Sequence, residues 1–329
     1  MELRNQRVLV TGGTGFVGSH LAERLVQAGC AVRVLANYKS HPSIGNLEYI
    51  AEDIRSQVEI VWGDVCDRDS AEHAVEGCKV VFHLAALIGI PYSYVAPGSY
   101  IQTNVVGTLN LLQAARRGEV VRFVQTSTSE TFGSARYTPM DERHPLVAQS
   151  PYAASKIAAD KLAESFHRSF DFPVTVVRPF NIYGPRQSDR AIIPTILAQC
   201  LAEMDPVRIG SPWPRRDFTF VTDTVAGFTL AAECDELVGQ SVNLGSGKSI
   251  SIGELALLIC KLAGGSTFVT DDQRVRPSGS EVDELLCDSR QARERLGWKP
   301  QVDLKAGLGR AIAFYRSHTG LLSPRRYQV

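Results

Sequence analysis

Val8-Leu-Val-Thr-Gly-Gly-Thr-Gly-Phe-Val-Gly18 is the stretch from which the rest of the chain can be read. The apolar run Arg7–Val10 has the length and side chains of a buried strand. Ser19–Ala28 then carries Leu21, Leu25 and Ala28 on one helical stripe. Between them the glycines fall as GxxGxxG through Gly12, Gly15 and Gly18, and as GxGxxG through Gly13, Gly15 and Gly18. A strand that turns on glycines into a helix allows a close backbone approach. It also presents unpaired helix N–H groups, those of Phe16 and Val17 among them. The pyrophosphate of a dinucleotide needs both.

The same alternation continues outward. Cys30–Leu35, Glu59–Trp62, Lys79–Leu84, Val121–Thr126 and Val174–Arg178 read as further strands. Ser70–Val75, a stretch with Val105, Leu109, Leu112 and Ala115 in register, and Ser150–Phe170 read as helices. Val-rich strands alternating with helices predict an α/β fold, a doubly wound parallel sheet whose ligands sit at the carboxyl ends of its strands. Beyond Gly184 the alternation weakens, and Gly210–Arg216 and Arg274–Glu281 grow denser in Pro and charge. Residues 1–184 are therefore expected to form most of a dinucleotide-binding domain. Residues 185–329 should form most of a smaller, discontinuous α/β lobe for the substrate, with some chain crossing back. The tail Ser317–Val329 reads as a solvated end.

Composition narrows the function. In 329 residues, Lys+Arg and Asp+Glu balance at 35 each, so no bulk charge points to nucleic acid or an anionic membrane. No window approaches the ~18 uninterrupted apolar residues of a membrane span. The N-terminus lacks a secretory pattern, so a cytoplasmic protein is expected. Seven cysteines are scattered without a CxxC pair and seven histidines without HxxxH spacing, which argues for free thiols and against a metal site.

The end of the second strand reads Leu35-Ala-Asn-Tyr-Lys-Ser40, with no carboxylate before Glu48 to hold a ribose 2′-OH. Lys39 beside Asn37, helped by Arg33, would instead meet a 2′-phosphate, so the cofactor is read as NAD(P) with NADP slightly favoured. Asp64, followed by Val65, either accepts a bond from the adenine amino group or caps the next helix. Leu84, Ala85 and Ala86 end the fourth strand beneath the cofactor, where small side chains avoid a clash.

Tyr152-Ala-Ala-Ser-Lys156 opens the long helix after Pro151 and sets phenol and ammonium on one face, about 6 Å apart along the axis. A free phenol is a poor base at neutral pH. A neighbouring ammonium is expected to lower its pKa, as a proton acceptor in alcohol oxidation requires.

With TGGTGFVGSH, GDV, VFHLAA, TNVVGTLNLLQAA, TSTSETFG, SPYAASK, RPFNIYGPR, RRDFTFVTD and NLGSG, the chain resembles the extended short-chain dehydrogenases/reductases of the nucleotide-sugar epimerase/dehydratase group over nearly its whole length. VFHLAALIGIPYSY, QSPYAASKIAAD and RPFNIYGPRQSDRAIIPTI look most like the dehydratases acting on GDP- or UDP-N-acetylglucosamine in legionaminic-type pathways. The resemblance implies a Rossmann sheet, a tightly bound and recycled cofactor, and a homodimer built on the helices near 100–116 and 151–170. It also implies that Thr128-Ser129-Glu130 serves dehydration, with Glu130 as base for C5 and Ser129 or Glu130 protonating the departing C6 hydroxyl. A pure C4 epimerase needs no such acid. Phe132 stands where the group usually has Tyr. Asn104 would orient the active-site loop near the cofactor. Asn181, Arg216 and Arg276 would hold the substrate diphosphate, with Arg186, Arg190 and Arg215 as alternatives. Asp223 reads as a helix cap.

Overall fold

The computed structural model describes residues 1–38, 43–265 and 267–324. Its first half runs β1 (Arg7–Thr11), α1 (Phe16–Gln27), β2 (Ala31–Asn37), β3 (Val58–Gly63), α2 (Arg68–Val75), β4 (Val80–His83), α3 (Gly107–Arg117), β5 (Arg122–Thr126), α4 (Pro151–Phe170) and β6 (Val174–Pro179). The second half adds β7 (Asn181–Tyr183), α5 (Ile192–Leu201), β8 (Val207–Ile209), β9 (Arg215–Phe220), α6 (Val221–Glu233) and β10 (Ser241–Leu244). It ends with β11 (Ser249–Ser251), α7 (Ile252–Ala263), β12 (Phe268–Thr270), β13 (Glu284–Leu285) and α8 (Leu304–Ser317).

Seven strands form one sheet in the order β10-β6-β5-β4-β1-β2-β3. Every pairing in it is parallel. This is the doubly wound sheet that the sequence predicts. Alternate residues of β1 explain why its apolar run is unbroken. Val8 and Val10 face the cluster containing Leu21 and Leu25 of α1, while Leu9 faces the one with Val81, Leu111, Leu112 and Phe123. The strand order reverses at β1, between β2 and β4, which opens a crevice at the carboxyl ends.

The sheet is completed by β10, from far beyond residue 184. The remaining strands form smaller sheets, β11-β9-β13 with β7 beside β9, and the pair β12-β8. Two expectations need correction. The helix read through Val105 begins only at Gly107, after a π-helical stretch Ile101–Val106 that turns Asn104 inward to 1% exposure. Asp223 lies inside α6 and does not cap it; its carboxylate accepts from the backbone N–H of Gln301 and Val302, anchoring the approach to α8. No described helix is long and apolar enough to cross a membrane.

Candidate active site

The glycine turn is shaped by what surrounds each Cα. Gly12 has φ +70°, and a Cβ there would lie 2.8 Å from the Ala85 nitrogen. A Cβ on Gly18 would stand 2.1 Å from the Gly12 carbonyl oxygen, whereas one on Gly15 meets only that oxygen, at 3.1 Å. Helix α1 starts at Gly15 without a side-chain cap, and its first backbone bond runs from Ser19 N–H to the Gly15 carbonyl. The amides of Phe16, Val17 and Gly18 precede that bond, so an anion at the turn is their natural acceptor. The cradle fits a dinucleotide pyrophosphate.

The turn is tied to β4 by a connection absent from the sequence reading. Thr11 Oγ1 accepts from the Leu84 and Ala85 amides, both at 3.2 Å, and bonds His83 Nδ1 at 2.8 Å. His83 Nε2 bonds Thr108 Oγ1 at 2.9 Å, and that hydroxyl donates to the Asn104 carbonyl. A neutral Nε2–H imidazole, with Thr11 donating to Nδ1, satisfies the whole chain of bonds. Burial, reinforced by Lys156, pushes His83 down to about 3, consistent with that neutral ring.

At the far end of β2, Asn37 and Tyr38 are exposed, and Lys39 lies outside the described residues. Arg33 does not help it. Its buried guanidinium pairs with Glu59 at 2.9 Å and binds the carbonyls of His73, Ala74 and Glu76 at the end of α2. Asp64 is exposed and accepts from the Cys66 amide; the cap of α2 is Asp67, bonded to Ser70 N–H, so the capping role read for Asp64 is displaced by three residues. Val65 is buried against Gly107. Asn104 is fully engaged by protein: its Oδ1 accepts from Leu87 N–H and its amide donates to the Leu87 carbonyl and Ser155 Oγ. It positions the segment after β4 against α4.

The N-cap of α4 is Ser150, whose side chain accepts from Ala153 N–H, and Pro151 takes the first helical turn. Tyr152 and Lys156 are 7% and 4% exposed, one turn apart. Facing them, Thr128 Oγ1 accepts from Glu130 N–H at 3.3 Å at the start of the short helix Ser129–Phe132. Ser129 is buried and Glu130 half-buried. The expected lowering of the Tyr152 pKa is not what the protein alone produces. Burial raises it, Glu130 and Asp160 act in the same direction, and only the Thr128 hydroxyl is a sizeable opposing influence. Burial likewise lowers the Lys156 pKa, against the pull of Asp160.

Sequence reasoning missed Asp160 and Arg178. Asp160, 0% exposed, accepts from Ser127 Oγ and from Arg178 Nη2 at 3.3 Å. The Arg178 guanidinium also lies 4.8 Å from the centre of the Phe132 ring, which occupies the position read as a departure from Tyr. The available signal was the repeat of the i, i+4 step from 152 to 156 to 160.

Opposite this cluster, Asn181 on β7 pairs in register with Phe218 of β9, and its Oδ1 is buried without a hydrogen-bond partner. Arg216 is buried and pairs with Glu281 at 3.2 Å; Arg276 reaches the same carboxylate oxygen at 3.8 Å. Burial draws Arg216 below an ordinary guanidinium. Glu130 is the largest influence opposing that, which puts this arginine within the field of the turn that follows β5. Glu281, which gathers both arginines, was not read from the sequence. Arg190 is exposed and acts electrostatically on the Tyr100 phenol, whose ring lies 6.2 Å from that of Tyr152. The alternatives Arg186 and Arg215 are committed elsewhere, to Glu23 at 2.8 Å and to Glu254 at 3.2 Å.

A parallel Rossmann sheet, a glycine-lined helix start and a buried Tyr/Lys pair at its carboxyl edge define a short-chain dehydrogenase/reductase. The chain belongs to the GDP-mannose 4,6 dehydratase family, whose model matches residues 9–311, and thus to the NAD(P)-dependent nucleotide-sugar dehydratases and epimerases. It is 33% identical over 323 residues to a dTDP-glucose 4,6-dehydratase of an Actinoplanes species, covering 95% of this chain and 98% of that one. It is also 30% identical to a putative UDP-glucose 4-epimerase of Methanocaldococcus jannaschii, covering 94% and 99%. Among solved structures, a dTDP-glucose 4,6-dehydratase from Streptomyces venezuelae with NAD bound superposes with TM-score 0.88 at 28% identity, covering 97% and 100%. Dehydratase and epimerase relatives stand at similar identity, so overall similarity does not choose between them.

Proposed function

We propose that the chain is a nucleotide-sugar 4,6-dehydratase that converts an NDP-hexose or NDP-N-acetylhexosamine, with GDP- or UDP-N-acetylglucosamine favoured, to its 4-keto-6-deoxy product. The observation that carries this reading is Glu130, half-buried beside Thr128 and within the fields of both Tyr152 and Arg216. A 4-epimerase has no use for a carboxylate there.

Bound NAD(P) supplies the two-electron oxidation at C4 and, late in the same turnover, the reduction at C6. Tyr152 takes the C4 hydroxyl proton, and Thr128 holds that oxygen. The buried Lys156 ammonium would hold the nicotinamide ribose and, while protonated, favours the phenolate. The C4 ketone acidifies the C5 proton, which passes to Glu130. Water leaves C6 with a proton from Glu130, directly or through Ser129, and C5 finally takes a proton from solvent, in balance with the C4 hydroxyl proton that Tyr152 gives up to solvent. Asn181, Arg216, Arg276 and Arg190 hold the diphosphate, which can take over the pairing that Glu281 provides to the first two arginines.

In this reading residues 1–184 mainly bind the cofactor and 185–329 mainly the nucleotide sugar. The chain dimerises through α3 and α4, and NADP is slightly favoured over NAD because the sequence carries no carboxylate between Asn37 and Glu48 to oppose a 2′-phosphate. The test is mass analysis of products from a panel of UDP-, GDP- and dTDP-sugars. A product lighter by one water supports the proposal; a product of unchanged mass from every sugar turned over overturns it in favour of epimerisation.

A further inference from the structure

We propose that Asp160 and Arg178 are a positioning pair that fastens the Tyr152/Lys156 helix to the Thr128–Phe132 turn, with the Asp160 carboxylate placed one helical turn beyond Lys156. The inference rests on the reading of Tyr152 as proton acceptor.

Geometry carries it. Tyr152, Lys156 and Asp160 stand at successive i, i+4 steps on α4, all within the interior. The Asp160 Oδ2 atom accepts from Ser127 Oγ, the residue directly before Thr128, and from Arg178 Nη2 on β6; Oδ1 has no hydrogen-bond partner. Arg178, 2% exposed, reaches Asn243 Oδ1 of β10 at 3.4 Å and lays its guanidinium over Phe132, the last residue of the turn that carries Glu130. One ion pair thus joins α4, β6, β10, Ser127 directly after β5, and the turn that carries Glu130. Buried ion pairs contribute little net stability compared with apolar packing of the same volume. Its placement, shared between the alcohol-oxidising helix and the acid–base turn, points to a role in registering the two.

Its charge acts on the same centre. Tyr152 is faced by the Thr128 hydroxyl, Glu130, Asp160 and the Tyr100 phenol, and Lys156 by Asp160 and the neutral His83. Arg178, Lys156 and Ser127 in turn oppose the rise that burial imposes on the Asp160 carboxyl. Removing the anion should therefore ease ionisation of Tyr152 and release the Lys156 proton at lower pH.

Asp160→Asn keeps the shape and the bond to Ser127 while deleting the charge. The readout is the pH profile of single-turnover cofactor reduction, using whichever nucleotide sugar the wild type accepts. Both limbs should move to lower pH by about one unit. If the lone substitution leaves Arg178 too costly to bury, the double variant Asp160→Asn/Arg178→Gln removes that cation as well and should show a smaller shift in the same direction, because it still deletes the carboxylate that holds Lys156 up. Tyrosinate absorbance, compared with and without Tyr152→Phe, gives the same reading without substrate. Profiles that superimpose on the wild type, or that move to higher pH, overturn the proposal even if the melting temperature falls. The dehydratase reading fails separately, by product mass, since C4 oxidation is common to dehydratases and epimerases.

Discussion

At the carboxyl edge of β1 the protein keeps its shape with backbone; at the carboxyl edge of β5 it does so with buried charge. Around Gly12, Gly15 and Gly18 each requirement is local: a positive φ, a carbonyl 2.1 Å from where a methyl group would stand, a helix start left uncapped. Around Thr128 and Glu130 the requirement is distant. Ser127 depends on Asp160, Asp160 on Arg178, and Arg178 on Asn243 of the last-added strand. The first region can bind many dinucleotides through one generic surface. The second must hold several titrating groups at fixed separations, and a rigid network of paired charges does that better than backbone alone.

The sharpest way to break the comparison is at the glycines. Gly18→Ala drives a methyl group into the Gly12–Gly13 backbone, so it should destabilise the fold by about 3 kcal/mol or more and abolish measurable cofactor binding. Gly15→Ala, at φ −83°, meets only the Gly12 carbonyl oxygen at 3.1 Å and should cost far less stability than Gly18→Ala, about 0.5 kcal/mol, yet weaken NAD by about tenfold by placing a methyl group at the pyrophosphate turn. Thermal melts and calorimetric titration of the two variants check this. Equal stability losses would mean that Gly15 too is packed by protein.

A smaller effect probes the His83 link between the two regions. His83 titrates near 3 in the folded protein and near 6.5 when unfolded, so the unfolded chain binds the extra proton first. Its contribution to stability is complete above about pH 6.5 and is lost as pH falls towards 3. His20, lowered to about 4 by burial, adds to the same acid limb. His83→Gln should flatten the fall of melting temperature between pH 6.5 and 4; an unchanged slope would assign that limb to other groups.

The comparison also explains what the sequence could and could not disclose. Glycine spacing and strand–helix periodicity are short-range, and they delivered the sheet and the cofactor turn. Tyr152, Lys156 and Glu130 came from their spacing and from resemblance. His83 and Asp160 stayed hidden because Thr11 lies 72 residues from the first and Ser127 lies 33 from the second. Arg33 was misread as a phosphate ligand since a cation that closes a helix end looks, in one dimension, like any strand-end cation. The rise that burial imposes on Tyr152 in the protein alone is hidden from the sequence because the spacing shows the Tyr152/Lys156 pair and not the burial of both.

The central claim is that Glu130 takes the C5 proton after Tyr152 has served oxidation at C4. A single turnover of Glu130→Gln in deuterated water, with cofactor absorbance and C5 labelling read together, tests it most directly. Glu130→Gln should give full cofactor reduction, no loss of water and no deuterium at C5. A lighter product carrying deuterium at C5, formed by this variant at the wild-type rate, would contradict it.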